Sequence, residues 1–287
     1  MEKQNLVIDF GGTATKAIWH AGRKIIRKYC FESEQYACSQ AGIQRLLSDL
    51  KLEPGTLSTL VVTGGQSQQI PHAWPELKII CIDEIEAIGT GGLLAIGASE
   101  ALVVSMGTGT AIVVARFEKI NGKKFHIQHV GGLGLGGGTI LGLGKLLCGA
   151  QSFNDLDSLA VEGHTEKVDL LVGDIVGRDI GIIPAELTAS NFGRVARKDI
   201  TYSKADIAAG LFTLVGQSVA RLAIVLAKQR QIEPIVVIGQ VIENAYMQRV
   251  FKSMQKIFGG HFIFTPEARY RVAEGAFALA LDKLITI

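Results

Sequence analysis

The stretch DFGGTATK, residues 9–16, begins where a short apolar run ends, and that run predicts a buried β-strand. The strand would end on the Asp9 carboxylate and enter a turn of two glycines, whose backbone can approach an anion because glycine has no Cβ. Thr13 and Thr15 would add hydroxyl groups, and Lys16 could neutralise phosphate charge. This pattern is typical of a site for phosphate and hydrated Mg²⁺. An ordinary hairpin turn is the alternative interpretation.

The same pattern occurs a second time, about one hundred residues later, a separation that suits a duplicated lobe. An apolar run at 101–105 enters the turn GTGT at 107–110, and another apolar run follows at 111–117. Two such turns would hold a nucleotide from both sides without a Walker loop, and the sequence contains no GxxxxGK[ST] motif. We therefore predict two lobes, 1–100 and 101–287, joined by a tight hinge.

Helical periodicity and strand signals are mixed along the whole chain, which predicts an α/β fold. Helices are expected at 40–50, 84–99, 139–148, 204–229, 243–258 and 270–284. Further strands are expected at 16–20, 24–31, 57–62, 78–82, 125–130 and 234–238.

The composition favours a globular protein that binds a small molecule. The chain has 287 residues, of which 48% are hydrophobic and 20% charged, so it can bury a sizeable core. Its net charge of +2 includes no long basic run, which gives little reason to expect nucleic acid or an anionic membrane as partner. We find neither a cleavable leader nor a continuous apolar span, so a cytoplasmic location is expected.

A glycine-rich run at 131–144 contains eight glycines. Gly132, Gly134 and Gly137 match GxGxxG between a predicted strand and a predicted helix, so a Rossmann dinucleotide site is an alternative. The polar residues 151–163 lack the apolar strand with a terminal acid that such a site requires. A loop packed against substrate or phosphate is therefore the favoured interpretation.

Three acidic residues, Asp83, Glu84 and Glu86, open a predicted helix. The helix dipole favours acids there, so capping alone would explain them. Alternatively, one of them could accept the proton of an acceptor hydroxyl as that hydroxyl attacks a γ-phosphate. We predict Glu84 as this base and Asp83 as the capping residue.

Seven motifs together resemble the type II pantothenate kinases over nearly the whole chain. In order they are DFGGTATK, VTGG, DEIEA, GTGT, HVGGLGLGGGTILGL, LTASNFG and AEGAFALA. The resemblance implies a two-lobed actin-like, ribonuclease H-like ATPase fold with the nucleotide in the inter-lobe cleft. It also implies ATP and Mg²⁺ as co-reactants, a homodimer, and phosphorylation of pantothenate to 4′-phosphopantothenate at the start of coenzyme A synthesis.

The resemblance assigns roles by motif position. Glu84 corresponds to the catalytic base, and Asp9 to a ligand that holds Mg²⁺ through water. The implied nucleotide and substrate contacts lie in both turns, the glycine run, the LTASNFG motif and the end of a late strand. They are Gly11, Gly12, Thr13, Thr15, Lys16, Gly107, Thr108, Gly109, Thr110, Gly136, Gly137, Gly138, Thr139, Asn191, Phe192, Gly193 and Gly239.

One position departs from the family pattern. Family enzymes carry an Arg immediately before the Val-Gly-Gly of the glycine run, where it contacts the acceptor, and this chain has His129 there. A neutral imidazole cannot replace a guanidinium fork. His129 could be an ordinary strand residue or act protonated, Arg194 or Lys145 could substitute, the acceptor could differ, or the kinase activity could be weak.

Three alternatives to a pantothenate kinase therefore stay open. The first is a kinase of the same fold for another hydroxylated or pantothenate-like acceptor, and the second is a nucleotide- or CoA-binding pseudokinase. The third, an ATPase activator with an iron–sulfur cluster, would need paired exposed cysteines. Cys30, Cys38, Cys81 and Cys148 lack the spacings of bacterial clusters, and the histidines form no HExxH motif.

Overall fold

Two five-stranded sheets form the framework of the computed structural model, which describes residues 4–65, 67, 70, 74, 77–120 and 123–285. The first sheet contains β1 (Gln4–Phe10), β2 (Ala14–Ala21), β3 (Lys24–Glu32), β4 (Leu57–Thr63) and β5 (Lys78–Cys81). The second contains β6 (Glu100–Met106), β7 (Thr110–Ile120), β8 (Lys123–Leu133), β11 (Ile235–Ile238) and β12 (Phe262–Phe264). A small pair is formed by β9 (Leu170–Leu171) and β10 (Thr188–Ser190). Residues 1–3, on which the leader prediction partly rests, lie outside the described ranges.

The described part of the chain contains eight α-helices. They are α1 (Gln40–Asp49), α2 (Glu84–Ile96), α3 (Gly137–Cys148), α4 (Phe153–Glu162), α5 (Val172–Val176), α6 (Lys204–Arg230), α7 (Ala245–Phe258) and α8 (Arg271–Ile285).

The two sheets have the same strand order and direction. The first runs β3-β2-β1-β4-β5 and the second, read in the same sense, β8-β7-β6-β11-β12. Each has an antiparallel meander followed by two parallel strands. The repeated strand–turn–strand pattern in the sequence thus corresponds to a repeated sheet.

The repeat extends to a pair of glycines. Gly64 follows β4 with φ +105°, and Gly239 follows β11 with φ +99°. A Cβ on Gly64 would lie 2.3 Å from the Phe10 carbonyl oxygen, and one on Gly239 would lie 2.3 Å from the Met106 carbonyl oxygen. Both positions therefore require glycine, because side chains avoid this φ region and the neighbouring strand leaves no space.

Two helices, α2 and α8, lie between the sheets and cross each other. A Cβ on Gly91 of α2 would lie 1.9 Å from the Arg271 carbonyl oxygen, and one on Gly275 of α8 would lie 2.1 Å from the Ala87 carbonyl oxygen, so the helix backbones touch. Helix α2 packs on the second sheet, whereas α8 packs on the first. Each predicted lobe thus contributes a helix to the sheet of the other.

The outer faces of the sheets are covered separately. Helix α1 covers the first sheet, and α3, α6 and α7 cover the second. Within the described ranges, α6 is the helix long and apolar enough to cross a membrane by length and composition, but 61% of its most apolar window is buried in the molecule. It is accordingly a core helix of the second lobe.

The elements that differ from the sequence prediction follow the glycine run. Strand β8 pairs antiparallel with β7 at the sheet edge, and α3 leads to α4 instead of a parallel strand, so the Rossmann alternative is wrong. Helix α4 was not predicted, although Ser152 and Asp155 form its capping box. The short elements α5, β9, β10 and β12 were not predicted either.

Candidate active site

A buried ion pair stands at the end of β1. Strand pairing places Asp9 opposite Lys16, and both residues are at least nine-tenths buried. Their closest atoms, Lys16 Nζ and Asp9 Oδ2, are 3.8 Å apart, which allows an ion pair but not a hydrogen bond. Burial raises the pKa of Asp9, and the Lys16 charge opposes this shift. A buried carboxylate without a close donor among the described residues fits a hydrated divalent cation.

The two Gly/Thr turns touch each other. Thr13 Oγ1 and Thr108 Oγ1 are 2.8 Å apart although 95 residues separate them in the sequence. A Cβ on Gly12 would lie 2.8 Å from Thr108 Oγ1, so this contact depends on glycine. Thr15, in contrast, is buried. It directly precedes Lys16 on β2, so the two side chains lie on opposite faces of the sheet. The first turn therefore presents Thr13, and not Thr15, to the second.

The start of α3 is hydrogen-bonded to the second turn. Gly137 N donates to the Gly107 carbonyl oxygen at 2.8 Å, and Gly138 N donates to that of Thr108 at 2.9 Å. A Cβ on Gly136 would lie 2.6 Å from the same Thr108 oxygen. Thr139 Oγ1 caps the segment by donating to the Gly134 carbonyl oxygen at 3.0 Å. Only Gly137 of this predicted group lines the cleft.

Glu84 is the first residue of α2 and lines the same cavity as Asp9. Asp83 caps the helix, as predicted, since its Oδ1 accepts from Ile85 N at 2.9 Å and from Glu86 N at 3.1 Å. Burial raises the pKa of Glu84, and the nearby Asp9 charge adds to the shift. A carboxylate with a raised pKa is better matched to accepting a proton near neutral pH.

These groups line one cleft of about 420 Å³ between the sheets. Its lining includes both turns, Asp9, Lys16, Glu84 and Gly239. It also includes residues that no sequence motif indicated, among them Gln240, Val241, Arg269 and Val272. These four residues follow no motif, and only the packing of distant turns brings them together.

His129 lies on β8 outside the cleft lining. Ile127, two residues earlier, packs against Gly89 of α2, so His129 is on the face of the sheet that faces α2. Its side chain is exposed and forms no ion pair or hydrogen bond with a described residue. The proposed substitutes do not reach the cleft: Arg194 pairs with Asp174, and Lys145 is exposed on α3. Neither cation therefore lies in the cleft lining, and substitution by either stays an expectation.

The LTASNFG motif is hydrogen-bonded to a buried acid and does not line the cleft. Asp169, which is fully buried, accepts from Phe192 N at 2.9 Å, Thr188 Oγ1 at 3.0 Å and Asn191 Nδ2 at 3.2 Å. Phe192 adopts φ +55°, which is uncommon for a bulky residue. Gly193 lies close to Ser190, where a Cβ would be 2.7 Å from Oγ. Asn191, Phe192 and Gly193 are thus not brought to the cleft lining.

The four cysteines form no disulfide, and Cys148 is buried. Among the described residues, no group of three or more His, Cys, Asp or Glu side chains could hold a metal ion.

Comparisons with known proteins identify relatives over nearly the whole chain. A family model described as Fumble matches residues 100–263. The type II pantothenate kinase of Bacillus anthracis is 32% identical over 285 residues, covering 96% of this chain and 97% of its own. The type II pantothenate kinase of Staphylococcus epidermidis is 31% identical over 288 residues, covering 96% and 98%.

Two solved structures share the fold. Component A of the (R)-2-hydroxyglutaryl-CoA dehydratase of Acidaminococcus fermentans has a TM-score of 0.65 at 20% identity, covering 99% of this chain and 100% of that one. The activator of the 2-hydroxyisocaproyl-CoA dehydratase of Clostridium difficile, with bound ADPNP, has a TM-score of 0.61 at 18% identity, covering 100% and 97%. The predicted actin-like ATPase fold is thereby confirmed; at these identities the likeness concerns the fold alone.

Proposed function

This chain belongs to the type II pantothenate kinase family, and from that membership and the geometry of its cleft we propose that it transfers the terminal phosphate of ATP to pantothenate. The product is 4′-phosphopantothenate, the first intermediate of coenzyme A synthesis. One observation carries the proposal: Glu84 lines the same cleft as Asp9, Lys16 and the two touching turns. A proton acceptor and a phosphate-binding surface therefore face each other.

The proposed transfer uses Glu84 as general base. The primary hydroxyl oxygen of pantothenate attacks the γ-phosphorus, the bond from that phosphorus to the bridging oxygen of ADP breaks, and the hydroxyl proton passes to the Glu84 carboxylate. Lys16 and the backbone of both turns bind the phosphate oxygens. The contact between Thr13 and Thr108 holds these turns in register from both lobes.

We further propose that Asp9 holds Mg²⁺ through water. Its buried carboxylate has one cation beside it, and its acceptor positions receive no hydrogen bond from the described residues. When bound, the ion would neutralise charge on the β- and γ-phosphate oxygens.

His129 favours a second candidate, a kinase of the same fold for another hydroxylated acceptor. Family enzymes carry an arginine, a permanent cation, at this position. This chain has His129, whose imidazole is exposed and forms no ion pair with a described residue. A pocket that lacks this cation would bind the pantothenate carboxylate less tightly.

An assay of the purified protein with Mg²⁺ and ATP separates these candidates. Pantothenate, pantetheine, common sugars and a no-acceptor control are compared, with product detected by mass. Phosphopantothenate at a turnover of roughly 1 s⁻¹ or more supports the leading proposal. Turnover of another acceptor only would support the second candidate, and ATP binding without any product would contradict both.

We propose a homodimer in the cytoplasm, with neither nucleic acid nor membrane as partner. Exposed apolar side chains on α3, α4, α5 and the loop after α5 support self-association: Leu146, Leu147, Val161, Ile175, Val176, Ile180 and Ile182. Four cysteines that form no disulfide are compatible with a reducing compartment. Light scattering during gel filtration would test the dimer, and a monomer at micromolar concentration would contradict it.

A further inference from the structure

The VTGG motif, residues 62–65, brings a turn to the cleft that the proposed transfer does not use. Its Thr63 is the last residue of β4, which lies parallel to β1 and places Thr63 directly opposite Asp9. Val7 of β1 and Val61 of β4 belong to the apolar cluster on the face of this sheet that α8 covers. Because side chains alternate along a strand, Asp9 and Thr63 lie on this same face. Thr63 is therefore the neighbour of the buried carboxylate on the sheet.

The same turn also approaches Glu84. Gly65 lines the cleft, and a Cβ on Gly65 would lie 3.6 Å from Glu84 Oε2. Burial and, after it, the charge of Asp9 raise the pKa of Glu84, so the two carboxylates are near enough to interact. The motif thus connects the two acids of the site, because Thr63 lies beside Asp9 and Gly65 lies beside Glu84.

The hydroxyl group of Thr63 is available for a further contact. The side chain is completely buried, and its Oγ1 forms no hydrogen bond with a described residue. Such a group lowers stability unless water or a ligand satisfies it. Asp9 has Lys16 Nζ at 3.8 Å, which is too far for a hydrogen bond. Thr63 and Asp9 together can therefore accept both hydrogen bonds of one bound water molecule.

We infer that Thr63 is a positioning residue whose hydroxyl group holds a water molecule of the Mg²⁺ hydration shell beside Asp9. This inference rests on the proposed binding of hydrated Mg²⁺, but it does not depend on which acceptor is phosphorylated. It gives a reason for a hydroxyl residue at the buried end of the apolar run 60–62, where valine would otherwise fit. Buried polar groups that lack a partner in the empty protein are expected at functional sites.

Calorimetric titration with ATP, once with Mg²⁺ and once with EDTA, tests this role in Thr63→Val. Valine keeps the shape of threonine and removes the hydroxyl group. We expect the affinity for Mg-ATP to fall roughly tenfold, the scale of one hydrogen bond in a charged site, and the affinity for metal-free ATP to stay unchanged. Thr63→Ser should recover most of the Mg-ATP affinity. The melting temperature of ligand-free Thr63→Val should not fall, because no hydrogen bond to a described residue is lost.

Thr90→Val is the matched control. Thr90 is also completely buried, and its Oγ1 likewise has no hydrogen-bond partner among the described residues, but it lies on α2 outside the cleft lining. Both ATP affinities should stay unchanged in this variant. Equal Mg-ATP affinity in wild type and Thr63→Val, an equal loss with and without Mg²⁺, or the same loss in Thr90→Val would overturn the inference.

The wild-type titration separates this inference from the proposed function. A wild-type chain that binds ATP equally well with and without Mg²⁺ would contradict the proposed metal site and the role of Thr63 together. Selective loss of Mg-ATP affinity in Thr63→Val, without any turnover of pantothenate by the wild type, would sustain the inference while the proposed acceptor fails.

Discussion

The two glutamates on the first turn of α2 differ in whether they line the cleft. Glu84 lines the cleft and Glu86 does not. We therefore expect Glu84→Gln to lower kcat by a factor of roughly 10²–10⁴ with ATP affinity retained, and Glu86→Gln to keep the wild-type rate. Because burial raises the pKa of Glu84, the acid limb of the wild-type pH–rate profile should lie above the range of an ordinary carboxyl group. Equal rates for wild type and Glu84→Gln would remove Glu84 as the base.

The departure at His129 can be reversed by one substitution. His129→Arg would restore a permanent cation on the side of β8 that faces α2, and the exposed imidazole leaves space for it. We expect kcat/KM for pantothenate to rise by roughly tenfold, the scale of one charge-assisted hydrogen bond. Gln128→Arg, which adds the same charge on the opposite face of the strand, should give no gain. If His129→Arg also gives none, the site is built for another acceptor.

The contact between β2 and α8 is expected to be sensitive to acid. His20 is buried and stacks on Phe277 with ring centroids 3.9 Å apart, and burial lowers its pKa to about 4 from 6.5. A lowered folded-state pKa means that the stabilisation is present above pH 6.5 and is lost as the pH falls towards 4. The free energy of unfolding should decrease by roughly 3 kcal/mol over this range.

Denaturant unfolding at several pH values measures this effect. His20→Phe keeps an aromatic ring against Phe277 and should flatten the pH dependence, whereas Phe in place of the exposed His261 should leave the dependence unchanged. An equally steep loss of stability in His20→Phe would contradict the role of His20.

Elements built from local signals were predictable, and contacts between distant elements were not. The turn after β1 is specified by residues that are adjacent in the sequence. The helix start at Asp83 and Glu84 is likewise indicated by neighbouring residues, so a short stretch of sequence was enough to predict both positions. Arg269, which lines the cleft, instead pairs with Glu243, whose carboxylate lies in another turn and accepts from Arg269 N at 2.9 Å. Likewise, LTASNFG matches a family motif, but its attachment to the buried Asp169 needs tertiary structure.

At the scale of the whole molecule, the crossing of α2 and α8 sets the spacing of the sheets. Gly275→Ala would place a Cβ 2.1 Å from the Ala87 carbonyl oxygen, and backbone on both sides leaves no flexible group to yield. We expect a loss of at least about 2 kcal/mol in the free energy of unfolding. Gly142→Ala on α3, where nothing lies within 4 Å, should be neutral or stabilise by up to ~1 kcal/mol. Equal stabilities of the two variants would contradict tight packing at the crossing.

The exchange of helices between the lobes also has a consequence for synthesis on the ribosome. The inner face of the first sheet, with Val7, Ile18 and Val61, is covered by α8, which is translated after every strand of both sheets. The nascent first lobe would therefore expose an apolar surface for most of translation. Chaperone contact is expected to concentrate on this early region and to end only when α8 emerges.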